Sequence, residues 1–233
     1  MISETFFASH YTSVWRSLAP SMEDCVRRYN LSEYDRIWVP LPSITDPQRR
    51  GLINEAAFIF FCENHGKERK EVSANLEALL EDSFSRSARF LQLEPHHAKP
   101  VEKREVVAIA GRLDTFFQSS QSGGGALQIN PEFPGCGIVG HCVGDVIRGD
   151  TLYEVKAGDR NFRSIDFRQL LVYAALRFSH DSFIFPRIGI VNPRTGISVR
   201  VETQTFCKDS AGLDPFELFE RVLSSLSANL VSD

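Results

Sequence analysis

The sequence predicts an α/β protein, and three observations predict it. Apolar residues recur at helical spacing through the first hundred-odd positions. A Ser/Gly-rich tract, Gln118-Ser-Ser-Gln-Ser-Gly-Gly-Gly125, then interrupts that pattern. Beyond it come short runs of β-branched and aromatic residues punctuated by turn residues, with helical spacing returning after Ser164 and after Asp214. With 233 residues, 42% of them hydrophobic, the chain can bury one substantial core. The tract divides a mainly helical region, 1–119, from a core, 120–233, the two packed as one compact unit.

Each element follows from its spacing. Phe7, Tyr11 and Trp15 stand four residues apart, the buried stripe of a helix. Past the proline-punctuated segment 40–47, residues 48–64 carry Ile53, Ala57, Phe60 and Phe61 on one helical face, with Glu55 off it. The charged run Lys67-Glu-Arg-Lys-Glu71 reads as solvated surface, and Leu76, Leu79, Leu80, Phe84 and Ala88 as the next helix. Val106, Ile109, Ala110, Leu113, Phe116 and Phe117 mark another after Pro100. The composition of 118–125 is that of a flexible linker. Strands are predicted over 127–130, 138–148, 151–157, 183–191 and 197–201, with a helix over 164–178 capped by Ser164. Asp214-Pro215 opens a last helix whose Phe219, Val222, Leu223 and Leu226 face inward.

Composition removes several classes of function. The longest run without a polar residue is seven positions, 56–62, far short of the roughly 20 that span a bilayer. No export signal opens the chain, so a cytoplasmic location is expected. Five cysteines without a Cys-x-x-Cys pair read as reduced thiols, not as a disulfide framework, a zinc site or an iron–sulfur cluster. Gly123-Gly-Gly125 lacks the Gly-Lys-Ser/Thr ending of a phosphate loop, and neither Gly-x-Ser-x-Gly nor His-Glu-x-x-His occurs. An ATPase, a serine hydrolase and a zinc protease are disfavoured. His96-His97 and His141 read as ordinary side chains. A net charge of -4 gives no global signature of nucleic-acid binding, but residues 148–200 carry nine basic and five acidic side chains, a local excess able to steer phosphates.

The informative stretch is Gly144-Asp-Val-Ile-Arg-Gly-Asp-Thr-Leu-Tyr-Glu-Val-Lys156. Gly149-Asp150 suits a two-residue hairpin loop. That register sets Arg148 against Thr151, Ile147 against Leu152, Val146 against Tyr153 and Asp145 against Glu154. Cross-strand Cβ atoms lie roughly 5 Å apart, so two carboxylates placed there repel unless one is protonated or a divalent cation sits between them. Strand alternation puts Lys156 on the same face as Glu154. Carboxylates that hold a hard cation and an ammonium beside them suit phosphodiester hydrolysis. A bare Glu-x-Lys arises by chance about once in a chain of this length, and Glu68-Arg-Lys70 repeats the spelling without an acid opposite it. On the helix that follows, Asp166, Gln169, Tyr173 and Arg177 share one face.

Asp145, Glu154-Val-Lys156 and the later Gln169-x-x-x-Tyr173 resemble the PD-(D/E)XK nuclease superfamily, close to its RecB-like and phage-defence-associated branches; Asn192-Pro-Arg-Thr-Gly196 resembles a strand-end turn of those branches. The resemblance covers roughly the last hundred residues. It implies a restriction-endonuclease-like core, a small mixed sheet flanked by helices. It further implies that Asp145, Glu154 and the Val155 carbonyl bind Mg²⁺ or Mn²⁺, that Lys156 assists the attacking water, and that Gln169 orients the site. Glu55 is the candidate for an upstream acid, with Glu63, Glu77 and Glu81 as rivals. Arg160, Arg163, Arg168, Tyr173 and Arg177 are the candidate nucleic-acid contacts.

The expected function is a metal-dependent deoxyribonuclease, working in DNA processing or anti-phage defence beside a separately encoded ATPase or recognition subunit, with room for a homo-oligomer. Two alternatives stand beside it: a catalytically silent nuclease fold that binds nucleic acid or assembles with partners, and a nuclease acting on RNA or on a structured junction.

Overall fold

A computed structural model of the chain describes residues 1–42, 44–93 and 98–228. The expected pair His96-His97 lies outside them. Among the described residues, ten α-helices surround a six-stranded mixed sheet and a two-stranded ribbon. The helices are α1 (Glu4–His10), α2 (Thr12–Leu18), α3 (Met22–Leu31), α4 (Arg50–Asn64), α5 (Arg69–Ala74), α6 (Leu76–Phe90), α7 (Pro100–Gln118), α8 (Ser164–Asp181), α9 (Thr203–Ala211) and α10 (Pro215–Ser227). The strands are β1 (Asp35–Arg36), β2 (Leu127–Ile129), β3 (Glu132–Phe133), β4 (Cys142–Val143), β5 (Val146–Arg148), β6 (Thr151–Val155), β7 (Arg187–Asn192) and β8 (Ile197–Glu202). The large sheet runs β1-β8-β7-β6-β5-β2. Only β6 and β7 pair in parallel, and α8 supplies the crossover that a parallel pair requires. No helix is long and apolar enough to cross a membrane among the described residues.

Strand alternation divides the interior into two cores. Leu152, Ile188 and Ile190 face a layer built from α1–α3 and α8–α10, with Phe7, Trp15, Phe167, Leu171, Phe206 and Phe219 buried there. Tyr153 and Val191, one residue on, face the opposite layer of α4, α6 and α7, among Phe61, Phe84, Leu113 and Phe117. The hairpin register is Val146 with Tyr153, Ile147 with Leu152 and Arg148 with Thr151, so Gly149 and Asp150 form a two-residue loop.

Several expectations need correction. The aromatic stripe spans two helices, since the chain leaves helical geometry at Tyr11; Phe7 and Trp15 still meet at 5.5 Å, and the Trp15 indole N–H donates to the Phe7 carbonyl. The tract 118–125 is not a loose linker. Ser122 is fully buried in a 3₁₀ turn and its carbonyl accepts from the Tyr153 hydroxyl at 3.1 Å. Gly149, at φ 56°, approaches so closely that a Cβ on it would lie 1.9 Å from the Gly124 carbonyl oxygen. The run 138–148 breaks into β4 and β5, because the chain passes from ribbon to main sheet at Gly144, packed on the Phe133 ring. Ser164 is not the cap of α8: Asp166 reaches back to the Arg163 N–H at 2.8 Å, and Ser164 donates to Glu23. Helices α3, α5 and α9 and the short strands β1 and β3 escaped the sequence reading; Gly212, at φ 72°, ends α9 in the left-handed conformation that favours glycine.

Gly189 faces Tyr153 across the parallel pair, and a Cβ there would lie 2.4 Å from the Tyr153 ring. That ring sits edge-on to both Phe116 and Phe117, so it has no room to retreat. Gly189→Ala is therefore expected to lose about 1–3 kcal/mol by overpacking. Urea denaturation measures it, and an unchanged midpoint would refute the contact.

Candidate active site

Asp145 stands one residue before β5, Glu154 on β6, and Lys156 one residue beyond it. The two-residue loop brings Asp145 to the level of Glu154, but Asp145 does not continue the ladder. Its main-chain carbonyl accepts from the Asn130 N–H at 2.9 Å, and its Oδ2 accepts from the Val155 N–H at 2.7 Å. A side chain thus takes the place of a main-chain partner at the end of the hairpin. Lys156 Nζ donates to Glu154 Oε1 at 2.5 Å and to Gln169 Oε1 at 3.1 Å. Gln169 Nε2 in turn donates to the Tyr173 hydroxyl at 3.0 Å. The spacing of four on α8 presents Gln169 and Tyr173 together, with the Tyr173 ring stacked on Phe133.

Glu4 joins this network without having been expected. Its Oε1 lies 3.1 Å from the Tyr173 hydroxyl and 3.4 Å from Gln169 Nε2. One signal could have found it: Glu4 precedes the buried Phe7 by three residues and so shares its face of α1.

The electrostatics are those of negative charge held without enough compensation. Burial pushes the Glu154 carboxyl up to about 8, with repulsion from Asp145 next, against the opposing pull of Lys156. Burial also raises Asp145, while Lys156 and the Val155 N–H act the other way. Burial alone would lower the Lys156 ammonium, but Glu154 and Asp145 outweigh it and lift the group to about 12, so it stays charged. Glu154 Oε2 is buried and accepts no hydrogen bond among the described residues. Once ionised, that oxygen can only accept, and beside a second carboxylate it fits a hard divalent cation as its partner. The donor set would be Asp145, Glu154 and a main-chain carbonyl, for no group of three His, Cys, Asp or Glu side chains converges among the described residues.

The remaining expected residues are placed as follows. Glu55 on α4 lies outside the hydrogen-bonded cluster, though burial first and Asp145 second raise its carboxyl. Glu63 pairs with Arg86, and Glu77 and Glu81 with Lys103. His141 pairs with Glu132 at 3.5 Å. Among the candidate nucleic-acid contacts, Arg160 grips Asp166 through two bonds of 2.7 and 2.8 Å. Arg168 is buried against Trp15 and reaches Glu23, Arg177 pairs with Asp181, and Tyr173 is buried. Arg163 is exposed and has no ion pair among the described residues. The basic excess over 148–200 is thus largely neutralised in place, for Arg187 pairs with Asp150 and Glu202, and Arg194 with Glu105. No protein-family model, curated protein or solved structure matches the chain.

Proposed function

We propose that this chain is a divalent-metal-dependent nuclease of PD-(D/E)XK type with a restriction-endonuclease-like core, hydrolysing phosphodiester bonds in DNA. The observation that carries the reading is the cluster in which Asp145, Glu154, Lys156 and Gln169 converge while no group among the described residues donates to Glu154 Oε2. The β5–β6 hairpin, the parallel β7 and the crossing α8 support the same core.

Asp145 and Glu154, with the Val155 carbonyl, would hold Mg²⁺ or Mn²⁺. Such an ion, when bound, supplies Lewis-acid polarisation of a phosphate oxygen and acidifies water. The Asp145 carboxylate is oriented by the Val155 N–H, so its other oxygen keeps a fixed direction. Lys156, its side chain 24% exposed, presents a permanent positive charge at the mouth of the cluster, where it orients water and stabilises the charge that develops on the phosphate. Gln169 accepts from Lys156 and donates toward Tyr173, which fixes its amide and through it the ammonium. With it we propose a cytoplasmic setting, a separate ATPase or recognition subunit, and a role in DNA processing or defence.

Linear and circular, single- and double-stranded DNA incubated with Mg²⁺, Mn²⁺ or EDTA test it. Cutting is expected with either metal and not with EDTA, and Lys156→Ala is expected to reduce it by about 10²–10³-fold, the usual effect of removing one charge-stabilising donor. Absence of cutting on every substrate, or equal cutting in EDTA, would refute it.

A further inference from the structure

A groove of about 600 Å³ runs between α4 and α6, lined by Glu55, Ile59, Arg86, Arg89 and Phe90. Its two ends differ in character. At the inner end stands Glu55, near enough to Asp145 for that carboxylate to raise its own, after burial. The Glu55 end of the groove is thus the one that feels the carboxylate cluster. At the outer end stand two arginines and an exposed aromatic ring. Arg86 is engaged by Glu63, whereas exposed Arg89 has only the Ser85 carbonyl, at 3.4 Å, and no carboxylate among the described residues. Phe90 is 70% exposed at the last position of α6. A large apolar ring held in water beside an unpaired guanidinium is not explained by packing.

We propose, resting on the nuclease reading, that this groove takes a single polynucleotide strand, with Arg89 against a phosphate and an unstacked base on the Phe90 ring, and leads it past Glu55 to Asp145 and Glu154. Base stacking on an aromatic ring and backbone contact with a cation are the two elements of single-strand binding. A duplex offers the phosphate but not the base face, because its bases already stack on one another. The acidic inner end repels phosphate, so the backbone follows the α6 wall. The groove thus selects single strands or frayed ends.

Fluorescence anisotropy of a labelled oligothymidylate, alone and annealed to its complement, tests this with the full chain in EDTA, where cutting does not interfere. The single strand is expected to bind at least about 10-fold more tightly than the duplex. Phe90→Ala is expected to weaken single-strand binding about 10-fold with little effect on duplex. Arg89→Glu should weaken both and flatten the salt dependence. Both side chains are exposed, so melting curves should match the wild type and separate lost binding from lost fold. Wild-type binding by both variants, or preference for duplex, overturns the groove. A chain that cuts DNA yet shows that result loses the groove alone; a chain that binds single strands through Arg89 and Phe90 yet never cuts loses the nuclease reading alone.

Discussion

Glu154→Gln is expected to raise the melting temperature of the metal-free protein at pH 8 while reducing metal-dependent cutting by about 10²–10³-fold. The two effects share one cause. The carboxyl is buried, faces Asp145 and leaves Oε2 without a donor, so its ionised form is disfavoured in the folded chain. An amide keeps the shape, removes the repulsion and can still accept from Lys156. Relief of a buried unsatisfied group is worth about 1–3 kcal/mol, and roughly 2–4 °C accompanies each kcal/mol in a chain of this size.

The sign of the pH dependence follows by linkage. The folded-state value lies above the ordinary 4.5, so the folded chain keeps a proton that the unfolded chain has released. Its contribution to stability is complete below about 4.5 and is lost as the pH rises toward about 8. The wild-type melting temperature without metal should fall across that window, and that of the variant should fall less. Mg²⁺ binds the deprotonated pair, so it should stabilise the wild type more at the upper end of the window and the variant hardly at all. Scanning calorimetry at several pH values, with and without Mg²⁺, measures both trends. A variant no more stable than the wild type at pH 8, and still stabilised by Mg²⁺, would contradict the picture of Glu154 as a strained metal ligand.

Arg194→Ala is expected to cost about 3–5 kcal/mol, the largest loss of stability from any single substitution considered for this chain. Arg194 is 1% exposed. Its guanidinium binds Glu105 of α7, Asn54 of α4 at 2.7 Å and the Ala157 carbonyl at 2.8 Å. It thereby ties the strand end that carries Lys156 to the helical layer. Truncation would leave Glu105 buried with neither oxygen satisfied among the described residues, where its Oε2 already lacks a partner. Replacing both residues, as Glu105→Leu with Arg194→Met, should recover the part of the loss that comes from stranding Glu105 and leave the part that comes from Asn54 and the Ala157 carbonyl. Chemical denaturation of the two single variants and the double variant closes the cycle. An Arg194→Ala protein within about 0.5 kcal/mol of the wild type, as a surface substitution would be, would show that the network does not bind the layers.

What could be read from the sequence was set by short-range rules. The turn at Gly149-Asp150 fixes its own register, so Val146 against Tyr153 follows from local geometry alone. Asp214 before Pro215 is a local cap, and its side chain does accept from the Glu217 N–H at 2.8 Å. Long-range pairing was not legible. Arg194 sits in a turn whose composition suggests a solvated arginine, and only the approach of α7 from 89 residues away buries it. Arg160, Arg168 and Arg177 were counted as free charge because a charge count does not see partners; Asp166, Glu23 and Asp181 take them up. The tract 118–125 has the composition of a linker, but its glycines allow the close approach to Gly149 that packs it. The hydrogen bonding of Gln169 to Lys156 depends on how α8 crosses the sheet, which no spacing encodes.

The bond between Glu4 and Tyr173 spans 169 residues of chain. Such a closure is entropically slow and comes after the local turns and helices have formed. During synthesis, the first helix must therefore wait for α8 to leave the ribosome before it can dock beside the carboxylates. A polypeptide that ends between Lys156 and that helix has the hairpin but lacks Gln169 and Tyr173, so Lys156 and Glu4 are left without the partners that tie them together.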